Sequence, residues 1–317
     1  MYIGIDLGGT NIVAGIVDEN GQIKYQESVP TMNERTSEAI IQDIVNLINI
    51  VIEGYKVPRK DIKAIGIGIP GLVDFKTGNV ARCVNLNWKD VPLANMVENA
   101  AKIPVFINND ATVAGLAEFE AGIMQGYQSG ILLTLGTGIG GGIILNGQIH
   151  DGAHGVASEI GHMVVGENFY NCNCGKNGCL ETYASSTAII KYTKKLMVED
   201  KIYSSIFEKL NGNLDTLNGK IIFDAAKEGD AVANKVINRM AKYLGIGIVN
   251  LINVIDPDIF IIGGGLSKAG TFLLQKVRDE VNKNIHYNTI ASGKIELSQL
   301  GNDAGLIGAA LLGKHRN

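Results

Sequence analysis

The sequence has little that points to nucleic acid or to a membrane. Its 317 residues contain no basic tract and carry a net charge of -4, so nothing draws the chain to nucleic acid or to an anionic membrane. It has no uninterrupted apolar run of about 18 residues and no basic and apolar leader after Met1. We therefore expect a cytoplasmic protein that binds small molecules, with no nucleic acid or membrane among its partners.

The common nucleotide-binding signatures are missing as well. There is no GxxxxGK[ST] loop and no HRD or DFG of protein kinases, so a nucleotide would have to be held without a P-loop lysine. Two GxGxxG patterns occur, at 66–71 and 136–141, but the first runs into Pro70 and turn residues and the second into an apolar strand. Neither opens a helix, which excludes a Rossmann turn.

Glycine is what the sequence has in excess. It contributes 40 of 317 residues, about 13%, against about 7% in an average protein. The glycines cluster directly after apolar runs, where exposed backbone amides could surround a phosphate. With 46% hydrophobic and 19% charged residues, the chain is otherwise an ordinary globular protein, long enough for two domains. The clusters therefore indicate ligand-binding loops.

Three of the four cysteines lie within eight residues. Cys172, Cys174 and Cys179 follow His162 in a His-x9-Cys-x-Cys-x4-Cys pattern, which is typical of a Cys3His zinc site. A closed site of four ligands has no open position for substrate, so the metal is expected to be structural.

Two alternatives to this zinc site stay open. The cysteines could be ordinary buried residues or form a disulfide, although Cys-x-Cys is a poor disulfide spacing. The fourth ligand is less certain than the thiols, because His162 could be a hydrogen-bonded core residue and because His150 and His154 are nearby competitors.

The first 30 residues predict three strands, and an acidic residue ends the first of them. Asp6 is followed by Gly8, Gly9 and Thr10. A carboxylate beside such a turn could orient a phosphate-bound Mg2+, while backbone amides and the threonine hydroxyl contact phosphate oxygens. The alternative is a plain Gly-Gly hairpin.

A second acidic residue stands where a predicted strand, 104–108, meets a predicted helix. Asp110 follows Asn109 at this junction, where it could either do chemistry or cap the helix by accepting backbone N–H bonds. A third glycine cluster, 263–265, follows another strand, and Ser267 could cap the helix behind it. A strand, a glycine turn and a helix N-terminus form an anion site. Apolar spacing predicts further helices at 36–53, 185–210, 221–228 and 230–254.

An internal repeat indicates the architecture. Residues 131–149, ILLTLGTGIGGGIILNGQI, echo residues 3–23, IGIDLGGTNIVAGIVDENGQI, with a gap of two residues. We infer a duplicated hairpin and two similar α/β lobes that face each other across a cleft. The predicted lobes are 1–111 plus 303–317, on the sugar and phosphate side, and 112–302, with the nucleotide, the zinc loop and the dimer contacts.

The motifs together resemble the repressor, open reading frame, kinase (ROK) family of the actin-like ATPase superfold. They are DLGGTN, NND, LGTGIGGG, SEIGH, CNCGKNGCLE and IGGG, and the resemblance runs from end to end. CxCGxxGCxE is specific to the family, whereas DxGGT is shared by many sugar kinases. NLNW and LGNDAGLIGAA are most similar to the bacterial ATP-dependent glucokinases. The implied fold is ribonuclease H-like, with duplicated βββαβαβα units and a central cleft.

The resemblance implies transfer of phosphate from ATP to the 6-hydroxyl of glucose, with Mg2+ and a structural Zn2+, in a homodimer. Asp110 would be the general base. The other residues implied to contact the sugar are Gly71, Asn85, Asn109, Glu159, His162 and Glu181. Those implied to hold the nucleotide and Mg2+ are Asp6, Gly8, Gly9, Thr10, Asn11, Thr137, Gly138, Gly264 and Gly265. The zinc ligands would be His162, Cys172, Cys174 and Cys179.

Two other functions are compatible with the resemblance. One is a kinase for a related hexose: fructose, mannose, N-acetylglucosamine or N-acetylmannosamine. The other is a sugar-sensing regulator without catalysis, which the presence of Asp6 and Asp110 argues against; the repressors' winged helix also has no room before a strand that starts at Tyr2. The chain departs from the family at Ser158, where many members have glycine, and this bears on the local backbone path and on sugar selectivity.

Overall fold

The computed structural model describes residues 1–287, 289 and 292–316. Its strands are β1 (Tyr2–Leu7), β2 (Asn11–Val17), β3 (Ile23–Pro30), β4 (Ala64–Ile69), β5 (Leu72–Asp74), β6 (Asn79–Cys83), β7 (Trp88–Val91), β8 (Val105–Asn109), β9 (Gly130–Leu135), β10 (Ile139–Leu145), β11 (Gln148–Ile149), β12 (Ile259–Gly263) and β13 (Lys294–Leu297). Its α-helices are α1 (Ser37–Tyr55), α2 (Leu93–Ala101), α3 (Asp110–Ala121), α4 (Glu181–Ala184), α5 (Ser186–Lys194), α6 (Ile206–Lys209), α7 (Gly219–Lys227), α8 (Ala231–Ile255), α9 (Thr271–Asn284) and α10 (Ala304–Arg316). None of the helices in the described part of the chain has the length and apolar character needed to span a bilayer.

Two five-stranded sheets have the same strand order. The first is β3-β2-β1-β4-β8, in which β1, β4 and β8 are parallel and the β1–β2–β3 meander is antiparallel. The second is β11-β10-β9-β12-β13, with β12 and β13 parallel and β10 and β11 antiparallel. The matching order confirms the duplicated hairpin that the sequence repeat predicts. A small sheet, β5-β6-β7, is inserted after β4.

Two compact units divide the chain. Unit 1 comprises Met1–Leu132, Gly142–Ser158 and Gln299–Asn317, and unit 2 comprises Leu133–Gly141 and Glu159–Ser298. The lobe boundaries at 111 and 303 stay a prediction.

The core of unit 1 forms where α1 covers the first sheet. The predicted apolar stripe is real: Ile40, Ile44 and Ile48 are fully buried together with Ile3 and Ile5 of β1. The helix begins where the Thr36 hydroxyl accepts the N–H of Ala39, and it ends at Lys56 in the left-handed region.

Helix α10 packs against the same sheet at unusually short range. A Cβ at Gly4 would lie 2.1 Å from the carbonyl oxygen of Leu306, and one at Gly66 would lie 1.7 Å from that of Ala309. Only glycine permits this approach. As a result, the first turn of α10 lies beside the end of β1.

Two predicted features of unit 2 are wrong. The stretch 185–210, predicted to be helical, is interrupted: α5 ends at Lys194, a π-helical turn covers Lys195–Glu199, and the short α6 begins only at Ile206. Ser267 does not cap α9. Its hydroxyl donates to the carbonyl of Gly264 at 2.7 Å, a 3-10 turn intervenes, and α9 begins only at Thr271.

Candidate functional site

The first glycine turn joins β1 to β2 and is held by backbone contacts. The N–H of Gly8 donates to the carbonyl of Asn11 at 3.0 Å, and the buried Thr31 donates from its hydroxyl to the Gly8 carbonyl at 2.7 Å. Thr10 and Asn11 are exposed. The turn is therefore held by hydrogen bonds to its backbone, and the side chains of Thr10 and Asn11 are accessible to a ligand.

Asp6 lies at the end of β1 beside the N-terminus of α10. A Cβ at Gly305, in the first turn of that helix, would lie 2.8 Å from Asp6 Oδ2. Burial, and then the negative charge of Asp110, raise the pKa of Asp6 to about 6. A buried carboxylate with a raised pKa gains from a cation, which is the property expected of a group that orients Mg2+.

Asp110 begins α3 but does not cap it. The cap is Asn109, whose Oδ1 accepts the N–H groups of Ala111 at 2.9 Å and Thr112 at 3.3 Å. Asp110 Oδ1 accepts the adjacent N–H of Ala111 at 2.8 Å. Burial raises the pKa of the Asp110 carboxyl. The residue that caps α3 is thus Asn109, and the alternative that Asp110 is only a helix cap does not hold.

Asn109 also joins α3 to the turn after β4. Its Nδ2 donates to the carbonyl of Gly71 at 3.1 Å. Gly71 has a φ of +120°, and a Cβ there would lie 2.4 Å from the carbonyl oxygen of Arg82, so the position requires glycine. Asn85 is exposed and lies beside Gly9, whose Cβ would be 3.5 Å from that of Asn85. Unit 1 therefore brings Asn109 together with Gly71, and Gly9 together with Asn85.

The second glycine turn, between β9 and β10, is supported by Glu181 of α4. Glu181 Oε2 accepts the N–H of Ile139 at 3.0 Å, and a Cβ at Gly138 would lie 2.1 Å from the same oxygen. The Thr187 hydroxyl donates to the carbonyl of Thr137 at 2.8 Å. In this structure Glu181 holds the turn, a role that the sequence did not suggest.

The predicted zinc ligands come together. The ligand atoms of His162, Cys172, Cys174 and Cys179 all lie within 4.8 Å of one another. The sulfurs of Cys174 and Cys179 are 3.6 Å apart, and Cys172 Sγ is 3.6 Å from His162 Nδ1. A tetrahedral zinc with Zn–S bonds of about 2.3 Å would hold two sulfurs about 3.8 Å apart, whereas a disulfide needs about 2.05 Å. The four residues thus form a possible metal site, and His150 and His154 are outside it.

The surroundings of the cysteines also fit a cation. Burial raises the pKa of Cys172 to about 12, so its thiolate is disfavoured unless a positive charge compensates it. On the other side of His162, Nε2 lies 3.8 Å from Glu159 Oε2. A carboxylate behind a ligating histidine is a common arrangement at zinc sites.

A cavity of about 150 Å3 in unit 2 contains residues that the sequence reasoning missed. Lys191 and Thr187 line it together with Thr137, Gly138 and Glu181. The sequence signal for this side of the cavity is the Ser-Ser-Thr run at 185–187, which begins α5. Lys191 Nζ lies 4.2 Å from the centre of the Tyr170 ring.

The third glycine cluster has one packed and one open member. A Cβ at Gly264, where φ is +78°, would lie 2.6 Å from the backbone N of Leu135, so β9 and the end of β12 touch here. Among the described residues, none beyond its own neighbours has an atom within 4 Å of a Cβ built on Gly265. Gly265 therefore has the open space that a ligand contact requires.

Ser158 takes the backbone conformation of a glycine. Its φ is +74°, and its buried hydroxyl has no hydrogen-bond partner among the described residues. Position 158 thus has the left-handed backbone conformation that glycine adopts without strain.

Comparisons with known proteins agree on one family. The model of the ROK family matches residues 2–316. A glucokinase of Halalkalibacterium halodurans is 37% identical over 99% of this chain and 95% of its own length. The crystal structure of a ROK family glucokinase from Streptomyces griseus, in complex with glucose and AMPPNP, superposes with a TM-score of 0.82 at 36% identity and covers 98% of both chains. A xylose repressor of Caldicellulosiruptor bescii is 34% identical over 96% of this chain but only 76% of its own length.

Proposed function

Because the chain belongs to the ROK family, we propose that it transfers the terminal phosphoryl group of ATP to glucose, giving glucose 6-phosphate and ADP. The observation that carries the proposal is similarity to glucokinases along nearly the full length of both proteins. The similarity to a xylose repressor favours sugar binding without turnover, but a regulator of that kind has no use for Asp6 and Asp110, the two acids whose pKa burial raises.

Asp110 is the general base in this proposal. It accepts the proton of the 6-hydroxyl as the oxygen attacks phosphorus, and a pKa raised by burial brings its basicity closer to that of an effective base near neutral pH. Its freedom from capping supports the role, since Asn109 supplies the helix cap. Asn109 and Gly71 hold the same turn and contact the sugar next to the base.

The nucleotide is held by backbone amides and hydroxyls. The turn at Gly8, Gly9, Thr10 and Asn11 contacts phosphate oxygens, and so do Thr137 and Gly138 of the second turn; Gly264 and Gly265 lie against the nucleotide. Mg2+ bound with ATP would neutralise charge on the phosphates, and Asp6 would orient the ion. Positioning and charge stabilisation are what phosphoryl transfer chiefly needs.

A structural zinc would be held by His162, Cys172, Cys174 and Cys179. The distances among their ligand atoms support this part of the proposal. The ion would hold the loop between Glu159 and Glu181 in place, and these two glutamates contact sugar hydroxyls together with His162. We further propose a cytoplasmic homodimer; ATP as donor and reduced thiols both suit that compartment.

The test is an ADP-release assay with Mg-ATP and a panel of glucose, fructose, mannose, N-acetylglucosamine, N-acetylmannosamine and xylose. Glucose should give the highest kcat/KM, and the product should carry phosphate on the 6-oxygen. Preference for another hexose would reassign the substrate. Binding of a sugar without ADP release from any of them would favour the regulator.

A further inference from the structure

A buried asparagine supports the turn that carries the base. Asn108 is 5% exposed and stands directly before Asn109 and Asp110 at the end of β8. Its Oδ1 accepts the N–H of Asn109 at 2.8 Å, and its Nδ2 donates to Asp151 Oδ1 at 2.8 Å. Both ends of the Asn108 amide are thereby used, so its orientation depends on the position of the Asp151 carboxylate.

Asp151 is in turn held by the last turn of α10. Its second oxygen pairs with the Arg316 guanidinium, and the two side chains are only 11% and 19% exposed. Arg316 Cζ lies 4.3 Å from the centre of the Phe75 ring, directly after β5. A shielded charged pair of this kind has a fixed geometry, because each ion is costly to leave without its partner.

The loop that Asp151 begins is also fixed against β5. The carbonyl of Asp151 accepts the N–H of Ala157 at 3.2 Å, which closes the loop. A Cβ at Gly155 would lie 3.2 Å from the carbonyl oxygen of Val73. Since β5 follows Gly71, which accepts the Asn109 amide, the base-bearing turn is supported from two directions.

We propose that Asp151 is a positioning residue for Asp110, acting through Asn108, and that Arg316 acts only through Asp151. The inference rests on the proposed function, because it assigns the Asp110 turn to the reaction. Displacement of a reacting group by about 1 Å can cost roughly 100-fold in rate, so a support two residues from the base affects catalysis and sugar affinity. ATP contacts are made by other turns and are not affected.

The test compares kcat and the KM values for glucose and ATP in variants of the full chain. Asp151→Ala should lower kcat/KM for glucose by roughly 10- to 100-fold, with the KM for ATP within about twofold of wild type. Asp151→Asn, which keeps an oxygen for Asn108, should lose less. Arg316→Met should act in the same direction, and the double variant Asp151→Ala/Arg316→Met should be no worse than Asp151→Ala alone.

The matched control is Lys314→Met, which removes an ion pair with Glu120 at the same end of α10 and should leave glucose kinetics unchanged. If the losses of the two single variants multiply in the double variant, Arg316 acts independently of Asp151, and the proposal is overturned. A lower Tm with wild-type kinetics would also overturn it, because that pattern marks a purely structural pair.

A second readout separates this inference from the proposed function. Hydrogen exchange of the backbone amides of residues 109–112 should be faster in Asp151→Ala and Arg316→Met than in wild type and Lys314→Met. If the wild type does not phosphorylate glucose, the proposed function fails. Hydrogen exchange alone then tests whether Asp151 and Arg316 support the Asp110 turn. Unchanged exchange in both variants would overturn the inference.

Discussion

The two five-stranded sheets share one strand order but differ in their acidic residues. Asp6 ends β1 in the first sheet, and the matching position of the repeat in β9 is Thr134. The first sheet also has Asp110 directly after its edge strand, and burial raises the pKa of both aspartates. The turn of the second sheet receives its carboxylate from Glu181, outside the sheet, which is engaged with the Ile139 N–H. One copy therefore carries acids suited to proton and metal chemistry, and the other carries a supported turn.

This difference shows that a repeated scaffold does not repeat its chemistry. The strand order fixes where a ligand can bind, and the few side chains at the strand ends decide what happens there. The predictions below test the division of roles between the two copies.

The largest effect is expected from Asp110→Asn. Loss of the base should lower kcat by roughly 100- to 10,000-fold. The Tm at neutral pH should rise, because the raised pKa means that the buried charge destabilises the folded state and because Asn109 keeps the cap. Steady-state kinetics and thermal denaturation measure both. A lower Tm with normal turnover would make Asp110 a structural residue.

Asp6→Asn should have a smaller effect that depends on Mg2+. A group that orients a metal without binding the substrate costs roughly 10- to 100-fold in metal affinity when it is removed. The concentration of Mg2+ for half-maximal rate should therefore increase. Thr134→Val, at the matching position of the second copy, is the control and should leave the Mg2+ requirement unchanged; equal effects would abolish the distinction between the copies.

The difference in stability between Asp6→Asn and the wild type should depend on pH. The folded-state pKa of about 6 exceeds the ordinary 3.8, so the wild-type carboxylate destabilises the fold above pH 6, and this cost disappears as the pH falls below about 4. The variant should be more stable by up to about 3 kcal/mol at neutral pH and equal to wild type in acid. Denaturant unfolding across this range measures the difference. A constant difference at all pH values would mean that Asp6 is not the titrating group.

Cys172→Ser and Cys174→Ser test whether the metal site of unit 2 supports glucose binding. Each should reduce bound zinc from about one ion per chain and raise the KM for glucose by roughly 10-fold, with a smaller change in the KM for ATP. Cys83→Ala, at the fourth cysteine, should retain the metal. If the affinities for glucose and ATP fall equally, the cluster supports only the fold.

The smallest effect is expected from Ser158→Gly. Removing left-handed strain and a buried hydroxyl without a partner should stabilise the protein by about 1 kcal/mol. Sugar preference should stay the same, because the backbone already follows the path of glycine. A changed hexose preference would show that the serine hydroxyl reads the sugar.

Local patterns predicted most of the fold. The apolar spacing of α1 and the cap at Thr36 lie within a few residues of one another, and the repeat at 131–149 is visible as letters. The broken helix was missed because Leu196 continues the apolar stripe of α5, although the chain turns out of the helix before Lys201, where φ is +54°. Periodicity does not report such a change of path.

The site was predicted less completely because its contacts are distant in sequence. Motifs identified Asp110, but Asn109 can cap a helix equally well, and only the backbone shows which of the two does so. The Arg316 and Asp151 pair joins residues 165 positions apart and has no local signal. The second role of Glu181 depends on the close approach of Gly138, which requires coordinates.

The central claim, that Asp110 is the base, is tested most directly by calorimetric titration of glucose into Asp110→Asn. The account predicts a Kd within about 10-fold of wild type in a variant that has lost most of its turnover, because a base acts in the transition state more than in binding. A loss of glucose affinity as large as the loss of kcat would contradict it and would make Asp110 a sugar-binding residue.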